Sequence, residues 1–446
     1  MRVLTALLVA LTVLSSGCTQ VVPGIGVAAG PPDPSVPVDV ASPGDAGAAA
    51  EAAITAVQDF WRAEFPALGG QWTDVATFAG ISPAAADPPP CVERAADVAD
   101  QAYYCPSADA VVWDADGLVP ALFDEFGHVG VLVVLAHEIG HAVQSRLGID
   151  SAQARDPQRY PTILLEAMAD CYTGVALRGL ADRPVAGLPV GPVERDAALR
   201  TLVGFRDPLG VAAGDEGAHG NAFDRLSAFQ AGYEGGSGRC AAMTVPERGF
   251  TQVRFGSADD LARAGDLPLR DLLTAVERDA RAWATELASA RAPGWNAPPL
   301  TVDVCPDAAA QGPARLCLGP SGPAGVDVEI AELTPLHREL GDFAGATLLS
   351  GRYALAALAA TGTAVEGAGA GHAAVCLAGA YAGRLLLAPD GFRLSPGDLD
   401  EAVQVLLTDD TAARDVLGRS DPAERGYERV ARYEVGLRGG PAACAV

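Results

Sequence analysis

The spacing of the cysteines constrains this chain more than any other feature of its sequence, because eight of the nine form two similar sets of four. Successive cysteines are 14, 66 and 69 residues apart in the first set and 12, 59 and 68 residues apart in the second. An even number of cysteines at repeated spacings predicts disulfides and an oxidising compartment. The two sets are Cys91, Cys105, Cys171 and Cys240, followed by Cys305, Cys317, Cys376 and Cys444.

The sequence around the cysteines repeats as well. Residues 225–240 align with 429–444, and residues 126–148 align without gaps on 340–362. Two copies of one fold should each close their own bonds, although pairing between the copies and free thiols remain alternatives. The expected disulfides are Cys91–Cys105, Cys171–Cys240, Cys305–Cys317 and Cys376–Cys444.

This repeat predicts the domain organisation. We expect one fold, α+β and predominantly helical, at 51–255 and again at 271–446, with a linker at 256–270. The chain has 446 residues and a hydrophobic fraction of 49%, which is sufficient for two such cores. Its net charge of −25 argues against nucleic acid as a partner, because phosphate binding needs clustered basic residues.

The first residues resemble a bacterial lipoprotein signal peptide. Arg2 is followed by the short apolar run Val3–Leu14 and by small residues that lead to Cys18. We expect residues 1–17 to be removed, Cys18 to carry lipid, and the Gly-, Pro- and Ala-rich residues 18–50 to form a tether. The chain would then be extracytoplasmic and anchored to the bacterial cell membrane. An ordinary signal peptide with an incidental cysteine is the alternative.

A zinc-binding motif lies in an apolar, helix-forming stretch of the first copy. His137 and His141 are four residues apart, which places both imidazoles on one face of a helix. Two such imidazoles can bind one Zn²⁺, and Glu138 is placed to act as general base on an attacking water. In a chain with six histidines, a chance match to this motif is expected on the order of 0.01 times.

A third ligand is predicted downstream of this motif at Glu166, because a tetrahedral catalytic site needs three protein ligands and one open position. Glu166 and Asp170 are four residues apart in a second apolar, helix-forming stretch at 162–180. Asp170 is expected to accept a hydrogen bond from the distal nitrogen of a ligating histidine. A solvated helix face is the alternative for this acidic pair. The cofactor predicted is therefore one Zn²⁺ per chain.

Histidines outside the motif have different predicted roles. His219, in a Gly-rich loop, is predicted to donate a hydrogen bond to the oxyanion of a tetrahedral intermediate, with a capping or surface role as the alternative. His128, at the start of a helix, is expected on the surface. The second copy carries other residues at the aligned chemical positions, so it is expected to fold and to bind no zinc there. Those residues are Gly351, Arg352, Leu355, Gly371, Val375 and Ala423.

Taken together, these motifs resemble the gluzincin arrangement and, more closely, the bacterial putative neutral zinc metallopeptidase family. The resemblance covers roughly residues 56 to 275 and implies a zincin-like fold and zinc-dependent hydrolysis of peptide bonds. The family often has a histidine where this chain has Ala142, a position outside the predicted ligand set. The motifs that carry the resemblance are Tyr104-Cys105-Pro106, the segment HEIGHAVQ, Glu166-x-x-Ala-Asp-Cys171, and His219-Gly220 followed by Arg225, Gly232 and Cys240.

Three functions remain open from the sequence. The first is a membrane-anchored, extracytoplasmic zinc peptidase that acts on a peptide or protein substrate. The second is a lipoprotein with a structural zinc that serves as a binding or scaffold module, and the third is a zinc hydrolase of a cell-wall amide. Structural zinc sites normally close all four positions with protein ligands, and no fourth ligand lies near the motif. The sequence predicts no oligomeric state.

Overall fold

The computed structural model describes residues 45–305, 310–319, 322–388 and 391–445. The predicted signal peptide, Cys18 and most of the predicted tether therefore lie outside the described residues. Helix α1 (Ala46–Glu64) begins earlier than expected, so the last five residues of the predicted tether are helical. Asp45 caps this helix, because its carboxylate accepts a hydrogen bond from the Ala48 amide at 2.7 Å.

The fold is α+β and predominantly helical, as predicted, and the part of the chain before residue 289 contains ten of the described α-helices together with one sheet. The helices after α1 are α2 (Leu118–Phe126), α3 (His128–Arg146), α4 (Ile149–Arg155), α5 (Thr162–Asp182), α6 (Pro192–Gly204), α7 (Ala222–Ala241), α8 (Val245–Arg248), α9 (Ala258–Ala262) and α10 (Leu269–Ala288). The strands are β1 (Thr77–Ile81), β2 (Ala102–Cys105) and β3 (Ala110–Asp114).

The second half contains α10, a further sheet and the remaining described α-helices. Its strands are β4 (Leu300–Val302), β5 (Ala314–Gly319) and β6 (Gly322–Val328). Its helices are α11 (Ile330–Leu340), α12 (Asp342–Ala360), α13 (Ala368–Leu386), α14 (Asp398–Thr408) and α15 (Gly426–Gly439).

The two sheets have the same arrangement of strands. In the first, β3 lies between the parallel strand β1 and the antiparallel strand β2. In the second, β6 lies between the parallel strand β4 and the antiparallel strand β5. A disulfide joins the loop before each hairpin to its first strand, as Cys91–Cys105 at β2 and Cys305–Cys317 at β5. Because β3 and β6 are the central strands, β2 and β5 lie at the edges of their sheets.

Helix α3 is the central helix of the first half, because its sequence is apolar on nearly all faces. It is buried from His128 to Gly140 and packs against α1, α2, α5 and α6. Gly127 (φ 68°) precedes the helix and Gly148 (φ 73°) follows it, in backbone conformations that glycine adopts without strain. The histidine motif therefore lies on a rigid, buried element.

Helix α12 has a similar central position in the second half, where it packs against α10, α11, α13 and α14. Within the described ranges it is the one helix that is long and apolar enough to cross a membrane by length and composition alone. Since 89% of the most apolar 18-residue stretch of this helix is buried inside the protein, its apolar composition is explained by its position in the core.

The two halves pack against each other through α6 and α7 on one side and α14 and α15 on the other. The segment predicted as a linker, 256–270, contains α9 and the first two residues of α10. It is attached to the second half, because the Asp342 carboxylate accepts from the Leu267 amide at 2.7 Å and Ser395 donates to Asp260 at 2.9 Å. The linker is therefore a packed element.

Helices α5 and α7 approach each other very closely. A Cβ atom at Gly232 of α7 would lie only 1.8 Å from the carbonyl oxygen of Cys171 in α5, and Gly436 has the same relation to α13 in the second half. The disulfides Cys171–Cys240 and Cys376–Cys444 join these two helix pairs, so all four disulfides of the structure are the predicted ones.

Gly232→Ala is expected to destabilise the protein by at least about 1–3 kcal/mol, because the new methyl group would force α5 and α7 apart. Urea denaturation with the disulfides intact measures this change. Gly238→Ala is the control in the last turn of α7, beyond the kink at Gly236 (φ 73°), since a Cβ at Gly238 meets no atom within 4 Å. The control should be neutral or slightly stabilising. Equal denaturation midpoints for the two variants would contradict the close helix contact.

Candidate metal centre

Three predicted ligands come together between α3 and α5. The Nε2 atom of His137 lies 3.1 Å from Oε2 of Glu166, and Nε2 of His141 lies 3.5 Å from Oε1 of the same carboxylate. One donor atom from each residue lies within 4.8 Å of the other two. The helical spacing of the two histidines places both rings on the face of α3 that packs against α5. Two imidazoles and a carboxylate are a ligand set that Zn²⁺ takes in proteins.

The orientation of His137 is fixed by a second layer of polar contacts. Its Nδ1 atom lies 2.8 Å from Oδ1 of Asp170, one turn after Glu166 in α5. Asp170 is fully buried and also accepts two hydrogen bonds from Arg225 of α7, at 2.8 and 2.9 Å. The contact predicted for Asp170 is therefore present, and it extends to a buried arginine. Such contacts hold a histidine ring in the tautomer that presents Nε2 to a metal.

His141 has a different second-layer partner. Its Nδ1 atom lies 3.2 Å from Oε1 of Gln144, and the Gln144 amide donates to the carbonyl of Leu165 at 2.6 Å. Because Gln144 uses its nitrogen for Leu165, its oxygen is left to accept from the histidine ring. The ring is therefore anchored to the residue next to Glu166.

The surrounding carboxylates favour a positive charge at this position. Burial lowers the pKa of His137, but Asp170, Glu166 and Glu138 outweigh it and raise that pKa to about 10. Burial raises the pKa of Glu166, but His141, His219 and His137 hold it well below its usual value. A buried site that stabilises positive charge and presents three donor atoms fits a divalent cation.

The three donors open onto a cleft of about 840 Å³. Glu138 also lines this cleft and is 7% exposed, so it lies beside the donors and can be reached from solvent. Three protein donors that face a cleft are the arrangement of catalytic zinc sites, whereas structural sites enclose the metal with four ligands.

The structure also places His219 at the cleft. Its Nδ1 atom lies 3.4 Å from Oδ1 of Asp207, and its backbone amide donates to Oδ2 of the same residue at 2.8 Å. Burial lowers the pKa of His219, but Glu166 and Asp207 outweigh it and raise that pKa. The ring is therefore held by Asp207 in a position from which it can donate into the cleft.

One histidine is placed differently from the sequence prediction. His128 was expected on the surface, but it is only 6% exposed and its Nε2 atom lies 2.8 Å from the carbonyl oxygen of Pro189. The helix it begins is buried from its first turn, so a residue at the helix start is covered by the segment before α6. His128 is a structural residue away from the cleft.

Sequence reasoning assigned no role to three residues of the site. Gln144 could have been found, because it is three residues after His141 on the same helix face. Arg225 carried a weaker signal, since a charge in an apolar helix needs a buried partner. Asp207 carried no signal, because only the folded loop brings it to His219.

The comparisons with known proteins agree with this geometry. Residues 48–243 match the family described as "Putative neutral zinc metallopeptidase". Two curated relatives, the uncharacterized protein YpfJ of Escherichia coli strain K12 and that of strain O6:H1 (CFT073), are each 29% identical over 149 residues. These alignments cover 30% of this chain and 50% of each relative, so the chain spans about half the length of the curated relatives it matches. No solved structure matches the chain.

The candidate metal centre and the residues that orient its histidines lie entirely within the matched segment. The donors on α3 and α5, the buried Arg225 and the His219 loop all lie between its ends. This segment, residues 48–243, therefore belongs to the putative neutral zinc metallopeptidase family.

Proposed function

We propose that this chain is an extracytoplasmic, membrane-anchored zinc peptidase with one active site, in its first half. The observation that carries the proposal is the set of three donor atoms, from the buried His137 and Glu166 and the half-buried His141, that opens onto a cleft shared with Glu138. The family match supports zinc as the metal and hydrolysis as the reaction class.

A peptide substrate is supported by the strand that borders the cleft. Ala102, Tyr103 and Tyr104 of β2 line the cleft, and β2 lies at the edge of its sheet. An edge strand presents backbone donors and acceptors that an extended peptide can pair with. A substrate chain bound in this way would run past the metal centre.

The chain's own residues have separate parts in the proposed reaction. A bound Zn²⁺ supplies an acidified water and a Lewis-acid centre for the scissile carbonyl. Glu138 accepts a proton from the attacking water and passes it to the leaving nitrogen. His219, oriented by Asp207, donates a hydrogen bond to the oxygen on which negative charge develops. Asp170 and Gln144 hold the two histidine rings in place.

The second half is proposed to be a degenerate copy of the first. The proposal is supported by the shared strand order, the matched disulfides and the equivalent glycine contacts of Gly232 and Gly436. The residues aligned with the metal centre offer no ligand set. They are Gly351, Arg352, Leu355, Gly371 and Val375.

Arg352, which aligns with Glu138, supports a silent role for this copy. It is 1% exposed, and its guanidinium donates to the backbone carbonyls of Ala314, Thr411 and Arg414. The side chain therefore joins strand β5 to the segment 411–414, which lies between α14 and α15. We expect this copy to have a structural or partner-binding task.

The proposed location rests on the sequence and is supported by the disulfides. Four disulfides are suited to an oxidising compartment. A lipid on Cys18, followed by the tether, would hold the folded part outside the membrane to which it is anchored.

Metal stoichiometry combined with a digest of a peptide library tests the proposal. Purified chain should contain one zinc and cleave peptides, and chelation should abolish cleavage. One zinc without cleavage would favour a binding or scaffold protein, and hydrolysis of cell-wall amides alone would favour the third function. Two zinc ions per chain would contradict the silent second copy.

A further inference from the structure

The two halves of the chain make a reciprocal contact. Asp196 in α6 accepts hydrogen bonds from the Gly426 and Tyr427 amides at the start of α15, at 3.1 and 3.0 Å. Asp400 in α14 accepts from the Ala222 amide at the start of α7, at 2.8 Å. Asp196 precedes Asp400 by the same number of residues as Cys240 precedes Cys444. Each half thus caps a helix of the other, as in an isologous dimer.

On the side of the metal centre, Asp400 makes a second contact. Its Oδ2 atom lies 3.4 Å from Nε of Arg206, a residue that lines the cleft. Arg206 begins the loop 206–221, which lies between α6 and α7, and Ala222 directly follows its last residue. Asp400 is only 3% exposed, so water competes little for its hydrogen bonds. One buried carboxylate of the second half therefore joins both ends of this loop.

The loop carries chemistry as well as structure. It contains His219 and Asp207, whose contact orients the His219 ring. The residue before Arg206 is also tied to the metal centre, because the carbonyl of Phe205 accepts from Arg225 at 2.6 Å. Arg225 in turn holds Asp170. A displacement of the backbone at residues 205 and 206 would therefore affect both His219 and the contact between Arg225 and Asp170.

The reciprocal contact, made by Asp196, lacks an ion pair like that between Asp400 and Arg206. This difference provides an internal comparison. By the same spacing, the residue that corresponds to Arg206 in the second half is Asp410. Asp410 is a carboxylate and cannot form an ion pair with Asp196. It instead accepts a hydrogen bond from Arg414 of its own half, at 2.6 Å. Helix capping is thus made in both directions, whereas the link to the loop is made only toward the half that carries the metal centre.

We infer that Asp400 is a positioning residue, contributed by the second half, which holds the loop 206–221 and thereby His219 against the active site of the first half. The inference rests on the proposed function, because it assigns the second half a task in that same site. Asp400 acts through Arg206 and Ala222 and has no contact with the reacting atoms.

The test compares Asp400→Ala with Asp196→Ala in the full chain. Hydrogen exchange followed by mass spectrometry reports on the loop, and kcat, KM and zinc content are measured with a peptide recovered from the library digest. Asp400→Ala should speed exchange within 206–221 by about tenfold or more and lower kcat by at least about tenfold, with one zinc retained. Asp196→Ala should speed exchange only at the start of α15 and leave kcat near the wild-type value.

Equal loop exchange in Asp400→Ala and Asp196→Ala would overturn the inference, as would faster loop exchange with unchanged kcat. If Asp400→Ala does not fold, Asp400→Asn replaces it, because asparagine keeps an acceptor for the Ala222 amide and removes the charge that faces Arg206. A wild-type chain without zinc or cleavage would contradict the proposed function instead. In that case the exchange measurement still decides whether Asp400 holds the loop.

Discussion

Glu138→Gln is expected to retain one zinc per chain and to lose about 10²- to 10⁴-fold in kcat. Glutamine has the same shape as glutamate but cannot accept a proton from the attacking water. Glu138 lies outside the three-donor group, so the metal should stay bound. The measurement is kcat on a cleaved peptide together with metal content by mass spectrometry.

Glu93→Gln is a matched control for this experiment, because Glu93 lines the same cleft on its exposed rim. The control removes the same charge from the same cleft and should have near wild-type turnover. Undiminished kcat in Glu138→Gln would rule out Glu138 as the general base. Loss of zinc in that variant would instead place Glu138 among the ligands.

Asp170→Asn is expected to weaken zinc binding by about 10- to 100-fold, because the His137 ring loses the acceptor that fixes its tautomer. The same change should destabilise the metal-free protein by about 3–5 kcal/mol, since Arg225 would remain buried without its counter-charge. Competition with a chelator measures the affinity, and urea denaturation in the presence of the chelator measures the stability separately.

Asp182→Asn is the control, because Asp182 pairs with Arg178 on the exposed surface at the end of the same helix. Exposed pairs of this kind contribute little to stability, so the denaturation midpoint should not move. If Asp170→Asn bound zinc as tightly as the wild type, the proposed role of Asp170 in orienting the His137 ring would be wrong.

The parts of the site that lie on helices could be predicted from the sequence. His137, His141 and Glu166 follow helical spacing within apolar stretches, and burial of those stretches is what brings them together. Asp170 was predictable for the same reason, because it lies one turn after Glu166. The disulfides were predictable because the repeated spacing of the cysteines favours partners within each set of four.

The remaining parts depend on contacts between distant segments, which leave no periodic signal. Asp207 reaches His219 only when the loop between α6 and α7 has folded, and Asp400 reaches Arg206 only when the two halves have docked. The start of α1 was missed for a different reason. The sequence prediction places the alanine- and glycine-rich residues before 51 in the tether, although alanine favours helix and Asp45 provides a cap.

The arginine that aligns with Glu138 has a consequence for any attempt to build a second active site into this chain. Arg352 donates to the backbone carbonyls of two segments, at Ala314 and at Thr411 and Arg414. Glutamate at this position would place a carboxylate among those carbonyl oxygens and remove the guanidinium that donates to them. Histidines at Gly351 and Leu355 would not relieve this penalty. A working site in the second half would therefore require changes in strand β5 and in the segment 411–414 as well.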